Sequence, residues 1–253
     1  SNNVVKLLAK LHIVKDYEET SSKIERKLEN FRNRSCWVGL DLSSGGDLTT
    51  LCLEFEEPDE TYYFYSHSFM PRGRLEEHIE TDLAPYDLWE QLKLITVTGG
   101  SGDFKNDYRF IIKHLKELKK EYNLTFLGIG LDPHNADGIM SELENFGCPI
   151  LLVTQSAKFL HDATEEIQLA VKSKKVEYDK SNELLTWSFT NAKIVKNSFG
   201  EKKVDKEPRA KFKRIDPVDA CIDAHTVMMK NRSKEVVNVK SELDNYLSKM
   251  GWK

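Results

Sequence analysis

Cys36-Trp-Val-Gly-Leu-Asp41, running on into Leu42-Ser-Ser-Gly-Gly46, is the stretch that decides the fold. An apolar run stops abruptly on a carboxylate, and the small residues after it are turn formers, so a strand with an acid at its C-terminal end is expected. Leu48 to Phe55 alternates well enough for a second strand, and Tyr62 to Phe69 for a third beyond the turn-forming Glu57-Pro-Asp-Glu60. Links this short predict an antiparallel meander. Further on, Leu124-Thr-Phe-Leu-Gly-Ile-Gly-Leu131 is again a buried strand that stops at an acid, Asp132-Pro133. A helix over 135–146 and a strand over 149–153 follow, which makes a βαβ unit with a parallel pair. The fold class is therefore α/β: a mixed sheet of three antiparallel strands followed by parallel strands, flanked by helices.

Working outward, residues 4–34 read as a helical linker or docking segment, with Leu7, Leu8, Leu11, Ile24, Leu28 and Phe31 at helical spacings. Residues 74–93 suggest helices broken near Pro85, with a short strand over 94–97. Asp103 is a candidate cap for a helix that runs to about Tyr122. A helix over 156–174, a short strand over 175–178 and a hairpin over 192–204 turning at Ser198-Phe-Gly200 come next. The last core helix starts near Asp216. Residues 1–35 then form an N-terminal extension, 36–231 one catalytic domain and 232–253 a charged tail.

A chain of 253 residues buries one good core. No run approaches the roughly 18–20 apolar residues needed to span a bilayer, and no signal-peptide pattern opens the chain, so a soluble protein of the cytoplasm is expected. Cys36, Cys52, Cys148 and Cys221 are scattered without a Cys-x-x-Cys pair, which favours reduced thiols over disulfides or zinc. The formal net charge of −4 does not announce a nucleic-acid binder, yet a site made of several carboxylates would lower the charge and require cations before it accepted a phosphate.

Three acids stand at special places: Asp41 and Asp132 at strand ends, and Asp216 at the start of the last core helix. Singly, each reads more readily as a turn former or helix cap than as a catalytic acid. Together, neighbouring strands would draw two carboxylates close and the helix would deliver the third. Clustered carboxylates repel one another unless a cation lies between them, which points to Mg²⁺ or Mn²⁺. Two ions about 3.5–4 Å apart serve phosphodiester hydrolysis without a covalent intermediate. Gly39 to Gly46 also resembles the phosphate loop of actin-like ATPases, but neither a second such loop nor a duplicated domain is evident.

Four motifs, in order and spacing, resemble the nuclease domain of the large terminase subunit of tailed bacteriophages: Val38-Gly-Leu-Asp-Leu-Ser-Ser-Gly-Gly-Asp-Leu-Thr-Thr50, Leu131-Asp-Pro-His-Asn-Ala136, Val153-Thr-Gln155 and Lys213-Arg-Ile-Asp-Pro-Val-Asp-Ala-Cys-Ile-Asp-Ala224. The resemblance spans about Trp37 to Met229. It implies an RNase H-like fold and a DNA-packaging endonuclease that cuts concatemeric viral DNA in the host-cell cytoplasm. It matches Asp41, Asp132 and Asp216 to the family's metal-binding acids, and Asp47 to an auxiliary acid of some relatives. It further implies double-stranded DNA as substrate, and an ATPase domain, a small terminase subunit and a portal as partners of the full-length protein, the isolated domain being monomeric. No Gly-x-x-x-x-Gly-Lys-Ser/Thr loop occurs in this chain, so the ATPase motor is expected elsewhere.

The remaining candidates leave alternatives open. Asp219 and Asp223 follow Asp216 at i+3 and i+7, on one helical face; Asp219 is the alternative third ligand, and Asp223 reads as a support or a solvated residue. Pro217 suits a first helical position, which makes Asp216 the expected cap. His134 and His225 are either a general base or hydrogen-bonding supports. Asn135 and Gln155 either orient water or phosphate or satisfy backbone groups. The basic stretch Lys202, Lys203, Lys206, Arg209, Lys211, Lys213 and Arg214 leads into Asp216, so contact with the DNA backbone is expected over a solvated hairpin. Competing functions are another RNase H-like nuclease of resolvase, transposase or exonuclease type, and a non-catalytic docking module of a packaging motor.

Overall fold

The structure, a computed structural model, describes residues 26–43, 48–82, 84–206 and 212–249, the last helix by its backbone alone from residue 233. Strands β1 (Ser35–Asp41), β2 (Thr49–Glu56) and β3 (Tyr62–Pro71) form the expected antiparallel meander. β4 (Ile95–Thr98) and β7 (Val176–Tyr178) pair parallel with opposite ends of the outer edge of β3. On the other side of β1, β5 (Thr125–Leu131) runs parallel to it, and β6 (Ile150–Leu152) runs parallel to β5. The order β4-β3-β2-β1-β5-β6, with β7 also on β3, is the RNase H-like plan of a meander continued by parallel strands.

Helices cover both faces, which is why the first seven residues of β2 are all buried rather than alternating. On one face Val38, Leu40, Leu51, Leu53 and Phe55 pack with Ile111, Ile112, Leu115 and Leu118 of α3 (Tyr108–Glu121) and Leu143 of α4 (Met140–Glu144). On the other, Cys52 packs with Leu160 and Ile167 of α5 (Ala157–Lys172), Leu185 of α6 (Glu183–Asn191) and Val218, Cys221 and Ile222 of α7 (Asp216–Lys249). A smaller cluster around Met70, Tyr86, Trp89 and Ile95 joins α1 (Arg72–Thr81), α2 (Tyr86–Gln91) and β4. The hairpin is β8 (Lys193–Lys196) with β9 (Lys202–Asp205). Among the described residues no helix is long and apolar enough to cross a membrane, and all four cysteines are free thiols.

Several expectations are corrected. Asp107, not Asp103, caps α3 by accepting from the Arg109 amide; the Asp103 carboxylate instead accepts from the Gly100 amide at 2.6 Å and closes the glycine turn. The helix expected over 135–146 is interrupted: after Asn135, at a left-handed φ of 68°, Ala136–Gly138 form a 3-10 turn, and Ile139, with a φ of −129°, separates that turn from α4. Residues 232–249 continue α7 without a break, since neither Gly nor Pro occurs between Val218 and Lys249 to stop it. The amides of Val218 and Asp219 both donate to the Ile215 carbonyl, so Ile215 precedes the first turn and Asp216 lies inside it. Of the segment read as an extension, residues up to 25 lie outside the described residues. Leu28–Phe31 form a 3-10 turn, and the buried Phe31 ring lies 4.2 Å from Tyr63 and 4.5 Å from Phe55, so this part belongs to the core.

His225, a candidate general base in the sequence, is fully buried between sheet and helices. Its Nδ1 lies 2.6 Å from Oε1 of Glu54 on β2, and its Nε2 lies 3.4 Å from Oε1 of Glu166 on α5. Glu166 also accepts from the Tyr62 hydroxyl and from Arg232. Burial alone would depress the imidazole, but the two carboxylates outweigh it and push its pKa up to about 9 from 6.5. A group raised on folding stabilises fully below its unfolded pKa and loses that contribution as pH rises through its folded one. Urea unfolding should therefore show stability falling between pH 7 and 10, by at most about 3 kcal/mol. A flat profile in wild type, or an equal fall in His225→Gln, would rule out the ionised pair.

Candidate active site

Two strand ends set the geometry. In the β1–β5 register Gly39 faces Gly130 and Leu40 faces Leu131, so Asp41 and Asp132 follow side by side at the C-terminal ends of neighbouring parallel strands. Side chains alternate along a strand, so Gly39 and Asp41 share a face, as do Gly128, Gly130 and Asp132. That face carries α7.

The glycines form the seat on which the helix rests. A Cβ on Gly39 would lie 1.9 Å from the Ala220 carbonyl oxygen and 2.5 Å from the Ala224 amide; one on Gly130 would lie 2.5 Å from the Asp223 carbonyl oxygen; one on Gly128 would meet Val227. Glycine inside a strand marks such a close backbone approach. Two strand residues advance about 6.6 Å and four helical residues about 6 Å. Gly128 against Val227 and Gly130 against Asp223 therefore place the level of Asp132 against that of Asp219, and the first turn of α7 at the strand ends.

Electrostatics reflect that convergence. Burial pushes the Asp41 carboxyl well above the usual carboxylate range, and Asp216, Asp219, Asp223 and Asp132 each push it further. Asp219 is raised likewise by burial and then by Asp216, Asp223 and Asp205, with Lys203 opposing. Asp223 is buried and raised; its Oδ1 accepts from Gln155 at 3.0 Å while its Oδ2 is buried without a hydrogen-bond donor. Among the described residues no three His, Cys, Asp or Glu side chains stand as a ready-made metal cage. The acids share one field without closing into a chelate. A donor set of hard carboxylate oxygens, one of them buried and unpartnered, nevertheless fits a divalent cation such as Mg²⁺ or Mn²⁺.

The loop that leaves β1 is held by its carbonyls. Asn135 donates to the Leu42 carbonyl at 2.9 Å, while Asn106 and the Tyr108 hydroxyl donate to that of Ser43 at 2.8 and 3.1 Å. Burial and the nearby Asp41 both raise the Tyr108 phenol. Asn135 is thus a backbone anchor, and Asn106 and Tyr108 carried no signal in the sequence. The Asp132 carboxylate accepts from the backbone amide of His134 at 2.8 Å, and His134 is exposed.

The basic stretch is not one surface. Arg214 points inward: it is 8% exposed, its Nε and Nη2 donate to Asp82 at 2.9 and 3.2 Å, and Nη2 lies 3.0 Å from His78. Burial would raise the Asp82 carboxyl, but His78, Arg214 and Tyr86 outweigh it and hold it well below the usual range. Arg214→Met should therefore cost about 3–5 kcal/mol in chemical unfolding by leaving a buried charge uncompensated. A loss under 1 kcal/mol would return Arg214 to the list of surface cations. Lys202 is tied to α5 through Glu165 at 2.7 Å and Gln168 at 3.2 Å. Lys203 pairs with Asp205 at 3.3 Å beside Asp219, and Lys206 and Lys213 are partly buried. Asp47, Arg209 and Lys211 lie outside the described residues.

The chain is similar to known proteins over most of its length. A family model described as the terminase large subunit, endonuclease domain, matches residues 15–233. The terminase large subunit of Enterobacteria phage HK97 is 27% identical over 216 residues, covering 85% of this chain and 40% of that protein. The crystal structure of the HK97 bacteriophage large terminase matches with a TM-score of 0.69 at 26% identity, over 84% of this chain and 42% of that one. A weaker likeness, TM-score 0.47 at 12% identity over 76% of this chain and 80% of the other, is to the large terminase nuclease of thermophilic phage G20c with bound magnesium. This chain spans about two-fifths of the length of its HK97 relatives. Strand ends, helix seat and a family match over most of its length lead to one conclusion: the chain belongs to the family of terminase large-subunit endonuclease domains.

Proposed function

We propose that this chain is a divalent-metal-dependent endonuclease that cuts double-stranded DNA, and that its role is to cleave concatemeric viral DNA during genome packaging in the host-cell cytoplasm. The observation that carries this reading is the pairing of Asp41 and Asp132 at adjacent strand ends, with the acidic first turn of α7 brought to them by the glycine seat. Asp41, Asp132 and Asp216 would hold the cations, two in number, with Asp219 as the alternative to Asp216. Bound there, Mg²⁺ or Mn²⁺ would neutralise the phosphodiester and activate water for its hydrolysis.

The chain's own residues prepare that site. The His134 amide fixes one Asp132 oxygen. Gln155 holds Asp223 behind the pair, and Asn135, Asn106 and Tyr108 set the path of the loop that follows Asp41. An ATPase domain, a small terminase subunit and a portal are the proposed partners of the longer protein. In isolation we expect a monomer with little sequence preference.

Incubation with supercoiled plasmid and Mn²⁺ or Mg²⁺ tests the reading. Nicked and then linear DNA is expected, abolished by excess EDTA. Cleavage that persists in EDTA removes the metal mechanism, and degradation restricted to linear DNA transfers the assignment to an exonuclease.

A further inference from the structure

Resting on the nuclease reading, we propose that duplex DNA reaches the acidic site along a basic groove on α3, not along the 202–214 segment. The groove, of about 710 Å³, lies between α3 and residues 138–142. Both of its walls start at the site: α3 begins at Tyr108, whose hydroxyl donates to the Ser43 carbonyl, and the opposite wall follows Asp132 by way of Asn135, which donates to the Leu42 carbonyl. Arg109, Lys113, Lys116 and Lys120 line it at intervals of four, three and four residues, which is one face of a helix, and Lys105 extends the line at the end nearest Ser43.

Charge and dimensions fit a phosphate backbone. Five cations line the groove against three carboxylates, Asp107, Glu117 and Glu142. Those carboxylates pair with Arg109, Lys113 and Lys116, whose side chains are 90%, 73% and 55% exposed. The single-contact pairs of Lys113 and Lys116 are weak and salt-screened, so phosphates can displace them, whereas Arg109 is held by both oxygens of Asp107. From Arg109 to Lys120 the stripe is about 16 Å long, the axial run of about five phosphates of one strand. The chain carries a net charge of −4 and its site is a cluster of acids, so an approaching duplex needs a local positive track. By contrast, Arg214 is buried on Asp82 and Lys202 is held by Glu165.

The test compares Lys113→Gln/Lys116→Gln/Lys120→Gln with Lys27→Gln/Lys172→Gln/Lys180→Gln, which removes equal charge elsewhere. Both sets are made in an Asp41→Asn background, so that binding to a short duplex of arbitrary sequence is read without cleavage. The α3 set should bind at least about tenfold more weakly at low salt, with the slope of log K against log salt shallower by about 0.9 for each phosphate no longer neutralised. The comparison set should bind as its parent does. Unchanged affinity and slope in the α3 set, or an equal loss in both sets, overturns the proposal. The same substitutions with Asp41 intact separate the two readings. A protein that never nicks plasmid but loses duplex affinity through α3 sinks the nuclease and keeps the surface. An α3 variant that nicks at the wild-type rate and with wild-type salt dependence sinks the surface and keeps the nuclease.

Discussion

Asp41→Asn will abolish plasmid cleavage and, in the absence of metal, raise the melting temperature. Alterations that touch only the supports of a metal ligand cost about 10–100-fold, so loss of the ligand itself should exceed about 100-fold in nicking rate. The gain in stability follows from the same crowding. Burial and then four neighbouring acids raise the Asp41 carboxyl, and a group so raised is costly to ionise in the native state, a cost that grows as pH rises through its folded pKa. Asparagine removes the charge and keeps the shape. Mg²⁺ or Mn²⁺ should then stabilise the wild type more than the variant, because only a ligand that binds the native state shifts unfolding. Retained nicking would exclude Asp41 as a ligand; a lower metal-free melting temperature would show that the carboxylates do not repel across the site. In the same assay Asp216→Asn should be inactive and Asp219→Asn only weakened, and the reverse order would make Asp219 the third ligand.

Gly39→Ala should be the most damaging single methyl at the described glycines near the site. Its Cβ would lie 1.9 Å from the Ala220 carbonyl oxygen and 2.5 Å from the Ala224 amide, both backbone atoms that no rotamer change can move aside. Overpacking of a core costs roughly 1–3 kcal/mol and occasionally more; with backbone on both sides, a loss of about 3 kcal/mol or above is expected in urea unfolding. Cleavage should fall with it, since lifting α7 from β1 carries Asp216 and Asp219 away from Asp41. Gly138→Ala is the control: the nearest atom to its Cβ is a Tyr108 ring carbon at 3.7 Å, and stability should change by no more than about 0.5 kcal/mol. Equal stability of the two variants would mean that α7 does not rest on the strand.

Much of the candidate site is legible because its acids lie at the ends of locally readable elements, Asp41 and Asp132 where strands stop and Asp216 in the first turn of a helix. An apolar run that stops at Asp41 or Asp132 has to be a strand end, and the amphipathic run from Val218 has to be a helix. Both strands also carry Gly-x-Asp, Gly39-Leu-Asp41 and Gly130-Leu-Asp132, and glycine inside a buried strand signals another backbone nearby. Arg214 is the opposite case, an expected surface cation that the fold buries, and for His225 the fold selects the hydrogen-bonding support over the general base. Their partners are 132 and 171 residues away in sequence, and a charged side chain in isolation looks the same whether it faces DNA or a buried carboxylate.

By itself, then, the sequence determined the strands, the order of the main elements and the acids at two strand ends and at the start of the last helix, because backbone sterics and the alternation of apolar residues act within a few positions of chain. Tertiary structure decided which acids meet and which cations remain outside. The β1–β5 register brings Asp41 beside Asp132, and the glycine seat sets the height of α7. Burial on Asp82 withdraws Arg214, and exposure along α3 leaves its lysines on the surface. These outcomes depend on pairing and packing summed over distant segments, which no local pattern encodes.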